Sequence, residues 1–129
     1  MLTPESIRDA LVAAESGEPD ALRAVLDRAV TWHTPLNNLT GGDHMGVEQS
    51  VELMREYQRL SGGSLRVEPV GFSARAGIGA IRLHATAARA GHGRLDVEAE
   101  ISFRLENGKV VEMWTKPRDP LAWDRFWAP

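Results

Sequence analysis

At Gly62-Gly63 the spacing of apolar residues in this chain changes from one regime to another. Before that point they recur every three or four positions in three stretches, the period of a helix face. After it they recur every second position in four runs joined by glycine-containing turns, the period of strands. Helices first and strands after define an α+β fold, because alternation of the two would be needed for a parallel α/β sheet. With 129 residues, 43% of them hydrophobic, the chain fills one core without cross-links. It has no cysteine, which excludes a disulfide framework, a zinc ribbon, an iron–sulfur cluster and a cysteine nucleophile.

Thr3 before Pro4 and Glu5 is a helix start, and Ile7, Leu11 and Ala14 carry its apolar face toward Gly17. Pro19 opens a second helix, with Leu22, Val25, Leu26 and Ala29 in register, expected to end near Arg28. Val30, Trp32 and Thr34 then alternate as a short strand that Pro35 stops, and Leu36–Asp43 reads as a loop. Val47, Val51, Met54, Tyr57 and Leu60 trace a third helix. The β runs Leu65–Ser73, Ile78–Arg89, Arg94–Glu106 and Lys109–Lys116 imply a four-strand antiparallel meander. Asp119-Pro120 repeats the cap-and-proline signal for a terminal helix over Leu121–Trp127.

In the last hairpin, a two-residue turn at Asn107-Gly108 would put Phe103 on a face with Glu112. A three-residue loop with Gly108 as a bulge sets Leu105 opposite Lys109, Phe103 opposite Val111 and Ile101 opposite Met113, with Glu98 opposite Lys116 and Glu100 opposite Trp114. The bulged loop keeps apolar beside apolar and is the expected register. One sheet face is then Val97, Ala99, Ile101, Phe103, Leu105, Val111, Met113 and Thr115.

A net charge of −3 with both signs interspersed gives no basic stripe, so a nucleic-acid partner is not expected. No apolar run is long enough for a membrane span, and Met1–Ser6 lacks the pattern of a signal peptide, so the expected location is cytoplasmic. His33, His44, His84 and His92 show no ligand spacing, and Gly77-Ile78-Gly79 lacks the third glycine of a dinucleotide loop. Neither a metal nor a cofactor is expected.

Several stretches in this order resemble the NTF2-like superfamily, and its SnoaL-like branch in particular: Trp32-His33-Thr34-Pro35, Gly42-Asp43-His44-Met45-Gly46, Leu60-Ser61-Gly62-Gly63-Ser64-Leu65, Asn107-Gly108-Lys109-Val110-Val111-Glu112 and Asp119–Trp127. The resemblance implies a single domain over residues 1–129, a cystatin-like α+β roll. In this cone, N-terminal helices pack on a strongly bent antiparallel sheet around a largely apolar pocket. Related ketosteroid isomerases use an Asp base with Tyr and protonated Asp donors. By the same resemblance Thr34, Ala10 and Ile101 fall at those positions, and none of them can do that chemistry.

His33 and Tyr57 are the candidate catalytic residues, with Asp43 and His44 as a second choice. A surface or structural role for His33 and a core role for Tyr57 are the competing readings. The expected ligand pocket is Trp32, Thr34, Met54, Tyr57, Val97, Ile101, Met113 and Thr115, while Trp123, Phe126 and Trp127 read as core. Trp114 amid Glu98, Glu100, Glu112 and Lys116 on the outer sheet face suggests a homodimer contact. The resemblance implies a pocket for a small hydrophobic or polycyclic molecule such as a polyketide. In an enzymatic reading, that molecule is isomerised, cyclised or dehydrated without a cofactor. The alternatives are a noncatalytic ligand-binding module and a dimeric protein-interaction module of the same fold.

Overall fold

The computed structural model describes residues 3–129; Met1 and Leu2, which open the segment read as lacking a signal peptide, lie outside them. Helix α1 (Pro4–Glu15) starts on a capping box: Thr3 Oγ1 accepts from Ser6 N at 3.1 Å, and Ser6 Oγ accepts from Thr3 N at 2.9 Å. It buries Ile7, Leu11, Ala14 and Glu15. The second helix is not a helix to Arg28. Pro19–Ala24 forms one 3-10 stretch, and β1 (Leu26–Thr34) begins directly after it. The edge of β6 (Lys109–Pro117) is what overrides the helical spacing. Val110 N donates to Val25 O at 2.9 Å and Lys109 Nζ to Ala24 O at 2.9 Å, fixing the chain as extended.

A four-residue edge strand, β2 (Gly42–Met45), lies where a loop was expected, antiparallel to β1 with Trp32 opposite His44 and His33 opposite Asp43. Helix α2 (Gly46–Leu60) turns its Val51, Met54, Tyr57 face inward. Strands β3 (Arg66–Arg75), β4 (Ile78–Arg89) and β5 (Gly93–Glu106) follow, and α3 (Pro120–Phe126) is capped by Asp119, whose carboxylate accepts from Ala122 N. The sheet order is β2-β1-β6-β5-β4-β3. The β3–β6 meander is antiparallel as expected, but β1 runs parallel to β6, so the six-stranded sheet is mixed.

The last hairpin departs from the expected register. Asn107 (φ +52°) and Gly108 (φ +77°) both adopt positive φ, the two-residue turn whose twist suits a hairpin, and Leu105 pairs with Val110. The bulge sits inside β6: Arg104 pairs with Glu112, which leaves Val111 as the extra residue. Val110 rather than Val111 is therefore buried, Phe103 faces Met113, Ile101 faces Thr115, and Glu100 faces Lys116. The tight turn and apolar pairing are both satisfied once the extra residue moves into the strand. At Gly79 the Phe103 ring lies where a Cβ would stand, 2.2 Å from it, so this glycine lets the ring cross β4. No helix among the described residues is long and apolar enough to cross a membrane.

Candidate functional site

The inner sheet face and α2 bring Trp32, Thr34, Met54, Tyr57, Ile101, Met113 and Thr115 together, all buried, with Val97 half-buried on the same strand face. Two of them satisfy each other, since Trp32 Nε1 donates to Thr115 Oγ1 at 2.8 Å. Strand alternation supplies this wall, and its polar atoms are largely used within it.

The unused polar atoms lie at one end of the core. Tyr57 Oη, Trp123 Nε1 and Trp127 Nε1 are buried without a hydrogen-bond partner among the described residues. Their rings touch: Tyr57 to Trp127 at 4.9 Å, Tyr57 to Trp123 at 6.0 Å and Trp123 to Trp127 at 5.9 Å. The two tryptophans are one helical turn apart on α3, which is tied down at several points. Asn38 Nδ2 donates to Asp124 Oδ1 (2.8 Å), Leu39 N to Trp127 O (3.0 Å), and Arg89 Nη1 to Phe126 O (2.8 Å) and Ala128 O (2.6 Å). Leaving a buried donor unmade costs about 1–3 kcal/mol, so each of the three calls for a partner. Thr40 stands near enough to Tyr57 to favour the phenolate slightly. Its own hydroxyl donates to Asn38 Oδ1 at 2.6 Å, which leaves its oxygen free to accept, although the Tyr57 hydroxyl makes no bond of good geometry to it.

Glu15, at the end of α1, joins this region and was not singled out in the sequence. It is only 5% exposed. Burial alone pushes its pKa up to about 8, so near neutrality the group is a carboxylic acid with a proton to donate. Its charge also bears on Tyr57, whose pKa is raised first by burial and then by Glu15, which keeps the phenol protonated. The signal was present: Glu15 follows Leu11 by four residues, on the apolar stripe.

A cleft of about 280 Å³ opens beside these residues, between the β1–β2 connection and α2, lined by Leu39, Thr40, His44, Gln49, Glu52, Leu53 and Glu56. Thr34 Oγ1 donates to Thr40 O at 2.6 Å, and His44 Nε2 lies 3.1 Å from Thr40 O. Desolvation lowers the His44 pKa, so the ring is neutral near pH 7; with Nε2–H directed at Thr40 O, Nδ1 keeps the lone pair. Donation to an acceptor, with one basic imidazole nitrogen at the mouth, is the chemistry these groups offer.

His33 stands apart, on the outer face. Its Nδ1 is 2.7 Å from Asp43 Oδ1, its Nε2 is 2.7 Å from Glu112 Oε2, and its ring stacks on Trp114 at 5.5 Å. Desolvation, the largest single influence, works to lower its pKa, but the hydrogen bonds and charges of Glu112 and Asp43 together raise it. The two candidate catalytic residues are thus on opposite faces of the sheet. Asp43 and His44 are likewise divided, one outward and one inward, because they are consecutive in a strand rather than in a loop.

No family model matches the sequence, and no curated protein matches it. Solved structures do. Bal32a, from a soil-derived mobile gene cassette, is 31% identical with a TM-score of 0.87, covering 95% of this chain and 94% of that one. An NTF2-like protein of unknown function from Burkholderia pseudomallei shares 16% identity at a TM-score of 0.83, covering 97% and 96%. A candidate SnoaL-like polyketide cyclase from Jannaschia sp. shares 16% at 0.73, covering 100% and 98%.

Proposed function

The chain belongs to the NTF2-like superfamily, and from that premise we propose that it binds a small, largely apolar molecule bearing a hydrogen-bond acceptor, seated against Tyr57, Trp123 and Trp127. The observation that carries this reading is the group of three buried donors with no partner among the described residues. Buried polar groups in folded cores are nearly always hydrogen-bonded, and a ligand's acceptor is one partner that would complete these three. The cleft lined by Leu39, Thr40 and His44 is the entrance, next to Trp127, whose backbone oxygen accepts from Leu39 N. Likeness to a candidate polyketide cyclase supports a ring-shaped ligand. Binding is the function proposed, and turnover is not part of it: Thr34, at the position of the isomerase base, donates its proton to Thr40 O.

Native mass spectrometry of the protein with the aromatic ketone 1-tetralone tests this. One ketone per chain, displaced from a Trp123→Phe, Trp127→Phe double variant, is the expected result. A native protein that never retains the ketone, or a double variant that retains it equally, contradicts the reading.

The outer face is proposed as the contact of a homodimer. Several of its charges are paired, as in Arg118 with Glu98 (2.9 Å) and Arg104 with Glu112 (3.4 Å). Exposed Ile78 and Met45 flank the His33–Trp114 stack on that face. Paired charges beside exposed apolar side chains favour a second copy over a charged partner.

A further inference from the structure

Resting on that binding reading, we infer that Asn38 is a positioning residue of the site: its side-chain amide clasps the loop 35–41 to Asp124 of α3, and a ligand enters and leaves when that clasp parts. Tyr57, Trp123 and Trp127 are 1%, 3% and 0% exposed, so a molecule that reaches their donors displaces part of the chain. Loop 35–41 lies on the way. Leu39 and Thr40 form its share of the cleft wall, and Leu53, which lines the same cleft from α2, is one helical turn from Tyr57. On its other side the loop rests on α3, where Leu39 N donates to Trp127 O (3.0 Å) and Asn38 Nδ2 to Asp124 Oδ1 (2.8 Å).

Thr40 is the buried end of the loop, 1% exposed and held at its carbonyl by Thr34 Oγ1 (2.6 Å). Asn38 bridges it to the helix: Oδ1 accepts from Thr40 N (2.8 Å) and Thr40 Oγ1 (2.6 Å), while Nδ2 reaches Asp124. One amide thus spans the seam between the cleft wall and the helix that carries both indoles. Of the two sides, the loop is the one that yields. Helix α3 buries Trp123 and Phe126, with Trp127 at its end, and Arg89 Nη1 ties it down through Phe126 O (2.8 Å) and Ala128 O (2.6 Å). The loop instead leaves Leu36 76% and Leu39 46% exposed, so lifting it uncovers little apolar surface and breaks chiefly hydrogen bonds. Of those bonds the one to Asp124 has a carboxylate as acceptor, which makes it stronger than the backbone bond beside it.

Stopped-flow mixing of the full chain with 1-tetralone, read by tryptophan fluorescence, tests this, and hydrogen exchange of the Leu39 amide measures the same opening without ligand. Asn38→Ala should raise the association and dissociation rates together by about tenfold, the factor expected of one hydrogen bond, and leave Kd within about twofold. The Leu39 amide, which donates to Trp127 O, should exchange faster by a similar factor while the amides of α2 keep their native protection. Asn38→Asp should open the clasp in the same way, by setting two carboxylates against each other. Adding Asp124→Asn should return the rates to native, since the amide and the carboxylate have then changed places. Native rates in Asn38→Ala, faster exchange that extends across α2, or a double variant as fast as Asn38→Asp alone overturns the clasp and leaves the binding reading standing. Failure of the native chain to bind the ketone overturns both.

Discussion

Glu15 is a residue where burial and charge conflict, and its titration should be measurable in the stability of the whole chain. Its folded pKa, about 8, lies above the ordinary carboxyl value of 4.5, so between those limits the folded state holds a proton that the unfolded state has lost. Stability is therefore full below about pH 4.5 and falls as pH rises toward 8, by at most about 1.4 kcal/mol per unit. Urea denaturation across pH 5–8 should show that slope and a much shallower one in Glu15→Gln, where His33, raised, and His44, lowered, act in opposite directions. At Gly79 the Phe103 ring blocks a side chain, so Gly79→Ala should cost about 1–3 kcal/mol by the same assay. Strand alternation alone predicts the inner orientation of Trp32 and Ile101 and turns His33 outward. It says nothing of what His33 meets there, because Asp43 and Glu112 arrive from strands ten and seventy-nine residues away.

At the scale of elements, long periodic segments are readable in the sequence and short ones are not. Helix α2 and strands β3–β6 follow from their spacing within one or two residues at each end. The 3-10 stretch and β2 were missed for the same reason: six and four residues hold too few repeats to separate one period from another. The hairpin shows a second limit, since the turn dipeptide and the facing pairs pull toward different registers until β6 bulges at Val111. Gly108 stands in open space at φ +77°, so Gly108→Ala meets no clash and should cost about 1–2 kcal/mol from backbone conformation alone. A urea midpoint unchanged from the native chain would contradict the two-residue turn.

For the whole molecule, the sequence reading places the pocket along the sheet, where Trp32, Thr34, Met54, Tyr57, Ile101, Met113 and Thr115 are buried. The unmade donors gather instead under α3, whose tryptophans read as core because an apolar ring and a polar N–H look alike in a hydrophobic pattern. The outer face makes its own prediction: Trp114→Glu should elute as a monomer from a sizing column and the native chain as a dimer, and identical elution of the two would remove Trp114 from the contact. The most direct test of the central claim is the paired stability and affinity of Tyr57→Phe. If the hydroxyl exists for a ligand, its loss relieves an unpaired buried donor, so the midpoint of thermal unfolding stays level or rises while 1-tetralone binds about tenfold more weakly. A variant that melts several degrees lower and binds the ketone as the native chain does would mean that Tyr57 serves the core, and that the donors under α3 are not a binding site.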